Sequence, residues 1–166
     1  FDLQGHRGAR GLAPENSLAS FERALQHGVT TLELDIAVTR DGVVVVHHDL
    51  ALNPDITRDA AGRWLDKPSA PIHALDWAQL QTYDIGRIKP GTRYAAQHPR
   101  QEAIDGTRVP RLADLFDLVR RGGHDQVRFA IETKLNPLQP EATLAPERFA
   151  AVAIDEIRKA GMQQRE

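Results

Sequence analysis

The order of apolar patterns predicts an α/β fold on a mainly parallel sheet, because segments of period two alternate with segments of helical spacing. Two strands and the helices between them carry this. Thr31 to Val38 sets Leu32, Leu34 and Ile36 against Glu33 and Asp35, and Val127 to Lys134 sets Phe129 and Ile131 against Ala130, Glu132 and Lys134. Helical patterns precede and follow both. The chain's 166 residues allow one domain with a genuine core, since a chain of this size buries roughly 70% of its unfolded surface.

Phe1-Asp2-Leu3-Gln4-Gly5-His6 alternates briefly and reads as a first strand that carries His6 to its C-terminal end. In the helix that follows, Ser17 is the N-cap, Leu18, Phe21 and Leu25 share a face with Ala24, and Gly28 is the stop. Arg7 and Glu15 lie in the loop between. Beyond the strand Thr31 to Val38, Asp41-Gly42 marks a turn, and Val43 to Val46 is a short strand ending at His47-His48. Residues 50–106 loosen into Pro-, Gly-, Asp- and Arg-rich sequence with one helical signal, Trp77 to Leu80. A structureless loop that long is unusual in a compact domain, so this stretch is expected to fold as an inserted cap or lid. Leu112, Leu115, Phe116 and Val119 then form a helix face closed by Gly122-Gly123. After the strand Val127 to Lys134, Pro146 opens a last helix with Phe149, Val152, Ala153 and Ile157 as its buried stripe and Gly161 as its end.

Lysine and arginine number 21 against 23 aspartates and glutamates, a formal net charge of -2. No bulk field then draws nucleic acid or anionic membrane, and anion recognition has to be local. Zero cysteines exclude disulfides, thiolate metal sites and cysteine nucleophiles together. No stretch approaches the roughly 18 consecutive apolar residues of a membrane span, so no stable membrane insertion is expected.

Strand alternation puts Glu33 and Asp35 on one face, where adjacent anions repel unless a cation sits between them. A hard divalent cation, Ca²⁺ or Mg²⁺, suits carboxylate oxygens and leaves positions for a phosphate oxygen, whereas soft metals lack the thiolates they favour. Glu132, near the end of its strand on the polar face, is the third candidate ligand, although a lone charge at a strand end is usually only solvated. His6 and His48 are the candidate acid and base, because imidazole, with an unperturbed pKa of about 6.5, holds or releases a proton near neutrality. His47 points away from His48 by alternation, and His27, His73, His98 and His124 read as structural or exposed. Arg7 offers a planar fork to phosphate, and Lys134 a point charge that also has Glu132 as a ready partner. Glu15 is either a supporting metal ligand or the group that orients Arg7 and His6. Asn16 is assigned to the turn and the helix start.

As an ordered series, Gly5-His6-Arg7-Gly8, Pro14-Glu15-Asn16-Ser17, Glu33-Leu34-Asp35, Thr39-Arg40-Asp41-Gly42 and the valines running into His47-His48-Asp49 resemble the signature of the glycerophosphodiester phosphodiesterases. The family often has Thr where Ser17 stands, a conservative change for a helix cap. The resemblance spans the chain and implies a (β/α)8 TIM-barrel fold. Such barrels take about 250 residues, so residues 1–166 are expected to be the N-terminal portion of the domain, with an inserted cap at 50–106 after the second strand and the rest of the barrel missing. The activity implied is metal-dependent hydrolysis of a small-molecule glycerophosphodiester to glycerol 3-phosphate and an alcohol. Glu33, Asp35 and Glu132 would hold the cation, Arg7 and Lys134 the phosphate, and His6 and His48 would be base and acid, or the reverse. One alternative is a phospholipase D-like enzyme acting on sphingomyelin or lysophospholipid, for which Trp64, Trp77 and Tyr94 are too few to build an apolar rim. Others are a non-catalytic metal- or phosphate-binding fragment and a purely structural domain. The long insert is similar to that of periplasmic family members and, with the Met-less start, makes a periplasmic or secreted location the expectation, with a cytoplasmic one as the alternative.

Overall fold

The computed structural model describes residues 1–164, whose elements follow as β1 (Gln4–His6), α1 (Leu18–Gln26), β2 (Thr31–Val38), β3 (Val44–Val46), α2 (Trp77–Leu80), α3 (Arg93–Gln97), α4 (Leu112–Arg121), β4 (Arg128–Thr133) and α5 (Pro146–Lys159). β2 is the central strand. β4 runs parallel to it from Thr31↔Arg128 to Ile36↔Thr133. The opposite edge is shared: β1 pairs in parallel from Gln4↔Thr31 to His6↔Glu33, and β3 folds back antiparallel from Ile36↔Val46 to Val38↔Val44. Among the described residues the outer edges of β1 and β4 carry no further strand, so the sheet is an open portion of a barrel.

The helices form because their apolar residues find one face to cover. Ser17 caps α1, its hydroxyl accepting from the Ser20 N–H at 3.1 Å. Phe21, Ala24 and Leu25 of α1, Leu112, Leu115, Phe116 and Val119 of α4, and Phe149, Ala153 and Ile157 of α5 pack on Leu32, Leu34, Ile36 and Phe129. Phe116 and Phe129 meet edge to face with centroids 5.1 Å apart. Each Phe, Leu, Ile or Val among them contributes roughly 1.5–3 kcal/mol on burial, and the alanines less. The face of β2 that bears Glu33 and Asp35 is thereby left for chemistry. β1 is shorter than the alternation predicts, because Asp2 is drawn into a polar cluster with Thr30, Thr31 and Arg128 while Phe1 stays exposed.

The segment after β3 has its own apolar cluster, in which Leu52, Ile72, Leu80, Ile85 and Val109 pack on Ala37 and Val45 of the hairpin. Arg58 clamps it, reaching Asp84 and Asp105 at 2.6 Å each. Besides α2 it contains a 3-10 turn at Ile72–Ala74 and the five-residue α3, capped by Thr92. No described helix is long and apolar enough to cross a membrane.

Candidate metal centre and catalytic rim

Strand register decides which side chains meet. Glu33 stands opposite His6, and Asp35 opposite Glu132, so carboxylates from two strands share the face that the helices leave uncovered. Ligand oxygens of Glu33, Asp35 and Glu132 lie within 4.8 Å of one another. Lys134 bridges two of them, its Nζ being 2.9 Å from Asp35 Oδ1 and 2.7 Å from Glu132 Oε1. Asp35 is 1% exposed. Burial pushes its carboxyl up, but hydrogen bonds from Lys134 and Asn16, with the charges of His48 and Lys134, outweigh that and hold it below the usual range.

The loop after β1 supplies the cationic side. Arg7 has φ +52°, a left-handed conformation that costs a non-glycine residue on the order of 1 kcal/mol. Three bonds hold it there: its N–H donates to Glu33 Oε2 at 2.8 Å, and its carbonyl accepts from the Asn16 N–H and the Ser20 hydroxyl, both at 3.0 Å. The guanidinium is pinned by Glu15 at 2.9 Å, with Nε 3.4 Å from Asp35 Oδ2 outside hydrogen-bond geometry. Gly8 closes the turn at φ +79°, where a Cβ would lie 2.7 Å from the Ser20 carbonyl carbon and 2.8 Å from the Phe21 nitrogen.

His6, about half exposed, places Nε2 3.7 Å from Glu33 Oε2. His48 comes to the same end of the sheet by another route, since the neighbouring His47 N–H donates to the Asp35 carbonyl at 3.0 Å. Its Nδ1 lies 2.7 Å from Asp49 Oδ1, and Asn53 donates to the other Asp49 oxygen at 3.0 Å. Burial raises the Asp49 carboxyl, but the His48 hydrogen bond and the charges of His47 and His48 dominate and hold it down to about 2. The aspartate is thus ionised throughout the neutral range and fixes the ring so that Nε2 is free. His47 turns inward, fully buried, with Nδ1 3.0 Å from the Asp49 carbonyl, and burial lowers its pKa.

Every sequence-predicted site residue therefore lies on or next to one surface, and Glu15 takes the orienting position beside Arg7. Three contributors were not singled out from sequence. Asn16, at φ +52°, donates from Nδ2 to Asp35 Oδ2 at 2.9 Å; Asp49 and Asn53 orient His48. The Pro14-Glu15-Asn16-Ser17 run was the available signal for Asn16, and Asp49 directly follows the histidine it holds. The donor set fits a hard cation: it is all oxygen, and two more buried acceptors, Glu15 Oε2 and Asn16 Oδ1, have no hydrogen-bond partner among the described residues.

Fold and site together define a partial, mainly parallel α/β barrel protein with a cluster of three carboxylates that could hold a cation towards the C-terminal end of its strands. Residues 6–165 match the glycerophosphoryl diester phosphodiesterase family, and the chain belongs to it. A crystal structure from Silicibacter pomeroyi DSS-3, assigned as a glycerophosphoryl diester phosphodiesterase, superposes with a TM-score of 0.91 at 34% identity over 99% of this chain and 55% of that one. Rat glycerophosphodiester phosphodiesterase 1 is 48% identical over 109 residues, 66% of this chain and 27% of the relative. A mouse glycerophosphoinositol inositolphosphodiesterase is 36% identical over 125 residues, 69% of this chain and 22% of the relative. The chain thus spans about half the length of the solved structure and about a quarter of these two curated relatives.

Proposed function

We propose that the whole protein hydrolyses glycerophosphodiesters to glycerol 3-phosphate and an alcohol with the help of Ca²⁺ or Mg²⁺ held by Glu33, Asp35 and Glu132. The observation that carries this reading is the convergence of those three carboxylates within 4.8 Å, next to Arg7 and an imidazole. Membership of the phosphodiesterase family supports it. When bound, the ion supplies Lewis-acid stabilisation of negative charge on the phosphate.

The remaining work falls to side chains of this chain. Arg7, immobilised by Glu15 and Asp35, offers a fixed positive charge to nonbridging phosphate oxygens, and Lys134 adds a second. His6 removes the proton from the attacking oxygen, whether water or the neighbouring glycerol hydroxyl. His48, oriented through Nδ1 by Asp49, protonates the departing alkoxide from Nε2, and the reverse assignment uses the same geometry. On this reading residues 1–166 are the N-terminal portion of the catalytic domain, and 50–106 its cap. Release of glycerol 3-phosphate by the whole protein is the direct assay. His6→Ala and His48→Ala are each expected to lower kcat by roughly 10²–10⁴-fold, and chelation of divalent ions to abolish turnover. Undiminished turnover in both variants would overturn the assignment.

A further inference from the structure

The hydrolase reading uses His48 and leaves its neighbour His47 idle, although the fold buries His47 to 3% exposure next to Asp35. Continuing the register one pair past Ile36↔Val46 sets His47 opposite Asp35, and its N–H donates to the Asp35 carbonyl at 3.0 Å. Opposed residues send their side chains to one face. The ring is then spent on the bend that follows, with Nδ1 3.0 Å from the Asp49 carbonyl. A carbonyl only accepts, so Nδ1 carries the proton and Nε2 keeps a bare lone pair, buried and without a partner among the described residues. An unmet buried acceptor is a cost that a leucine here would avoid, so what the ring contributes is the bond from Nδ1.

That bond holds a bend with little else to hold it. Among the described residues no backbone–backbone hydrogen bond begins or ends at His48 or Asp49; the flanking ones run from the His47 N–H to Asp35 and from the Ile72 N–H to the Leu50 carbonyl at 2.7 Å. Within the bend, the Asp49 carboxylate takes His48 Nδ1 at 2.7 Å and Asn53 Nδ2 at 3.0 Å. The direction of the His48 ring is set by Asp49, and the place of Asp49 by His47. We propose that His47 is a positioning residue for His48: its buried Nδ1–H, bonded to the Asp49 carbonyl, sets the bend from which Asp49 aims the His48 ring. The proposal rests on the hydrolase reading above and adds the residue that fixes its second imidazole. Buried as it is, His47 itself meets no substrate.

The test measures release of glycerol 3-phosphate from glycerophosphocholine by whole wild-type protein, by His47→Leu, His47→Asn and Asp49→Ala, and by the double variant His47→Leu/Asp49→Ala. His47→Leu is expected to lower kcat roughly 10–100-fold, the usual effect of loosening an orienting contact around a catalytic group. KM should change by less than about twofold. His47→Asn, whose Nδ2 stands as far along the side chain as the lost Nδ1, restores most of the rate. In the Asp49→Ala background His47→Leu costs nothing more, because the link through which it acts is gone. A kcat for His47→Leu within about twofold of wild type, an Asn variant as slow as the Leu one, or a full second loss on top of Asp49→Ala overturns the proposal. If thermal unfolding shows that His47→Leu does not fold, His47→Gln, with its donor one bond too far out, takes its place on the same terms. Absence of turnover in wild type would count against the hydrolase reading alone. The ring N–H protons of isotope-labelled histidine in the whole protein would then decide: the His48 Nδ1–H signal is expected to weaken by exchange with water in His47→Leu and to return in His47→Asn, and an unaltered signal in His47→Leu defeats the positioning role.

Discussion

At the scale of single residues the site is a balance of charges in a partly dry place, and Lys134 is its internal counter-ion. Asp35 is 1% exposed and Lys134 14%, so neither is well served by water, and each depends on the other. Lys134→Met is therefore expected to destabilise the metal-free protein by about 2–4 kcal/mol, because Asn16 and Arg7 only partly compensate the stranded carboxylate. Urea unfolding measures this, and added Ca²⁺ should recover much of the loss by supplying another positive charge; equal stability of variant and wild type would refute the counter-ion role. Glu33 and Asp35 were legible as a same-face pair because period two alone assigns a strand residue to a face, whereas Glu132, on a separate strand, joined them through the family resemblance. Asn16 was not legible. Its reach to Asp35 depends on a left-handed backbone and on where the loop returns, neither of which a local pattern encodes.

Elements show the same division. α1, α4 and α5 were readable because each has an apolar stripe with a recognisable start or stop, whereas α3 is five residues long with no buried residue of its own and is held by its Thr92 cap and by the segment after it, where Gln101 Nε2 donates to the Arg10 carbonyl at 2.6 Å. The turn before α1 is constrained more tightly than its sequence advertises. Gly8→Ala adds a Cβ against the backbone of Ser20 and Phe21 at a positive φ, so a loss of about 2–4 kcal/mol is expected from thermal unfolding, with Gly11→Ala, whose Cβ meets nothing within 4 Å, as the near-neutral control. The insert carries a pH-dependent clasp. Hydrogen bonds from Arg87 and then Arg58 hold the Asp105 carboxyl down to about 2, from an ordinary value of 3.8. Asp84 is also lowered: burial raises it, but the N–H groups of Gly106 and Gly86 and the charge of Arg58 prevail. Groups with depressed pKa stabilise fully above the unfolded value and lose that contribution as pH falls through the folded one. Hydrogen exchange at the reciprocal Arg58 and Asp84 amides should therefore accelerate, relative to intrinsic rates, as pH drops from about 4 towards 2. Arg58→Met should flatten that dependence, and an unchanged profile would show that the clasp does not hold the insert.

For the molecule as a whole, the decisive feature is what the sheet leaves open. β1 and β4 present unpaired outer edges among the described residues, and beside β4 an apolar groove runs between Ile36, Phe129 and Ile131 of the sheet and Ala150 and Ile154 of α5. Within a closed barrel such edges pair and such grooves are filled by the next strand and helix, whereas a free edge with apolar flanks recruits other chains. Ile154, 45% exposed, is the side chain on α5 best placed to drive that association. The barrel's existence was legible only through the motif series; its openness follows from how few strands the pattern contains. The 166-residue chain in isolation should thus self-associate at micromolar concentration, with light scattering showing species larger than a monomer and urea unfolding lacking a single sharp transition. Ile154→Lys should reduce the association without touching the carboxylate cluster. A monomer that unfolds in one cooperative step would mean that these four strands are self-sufficient, and the partial-barrel reading would have to be given up.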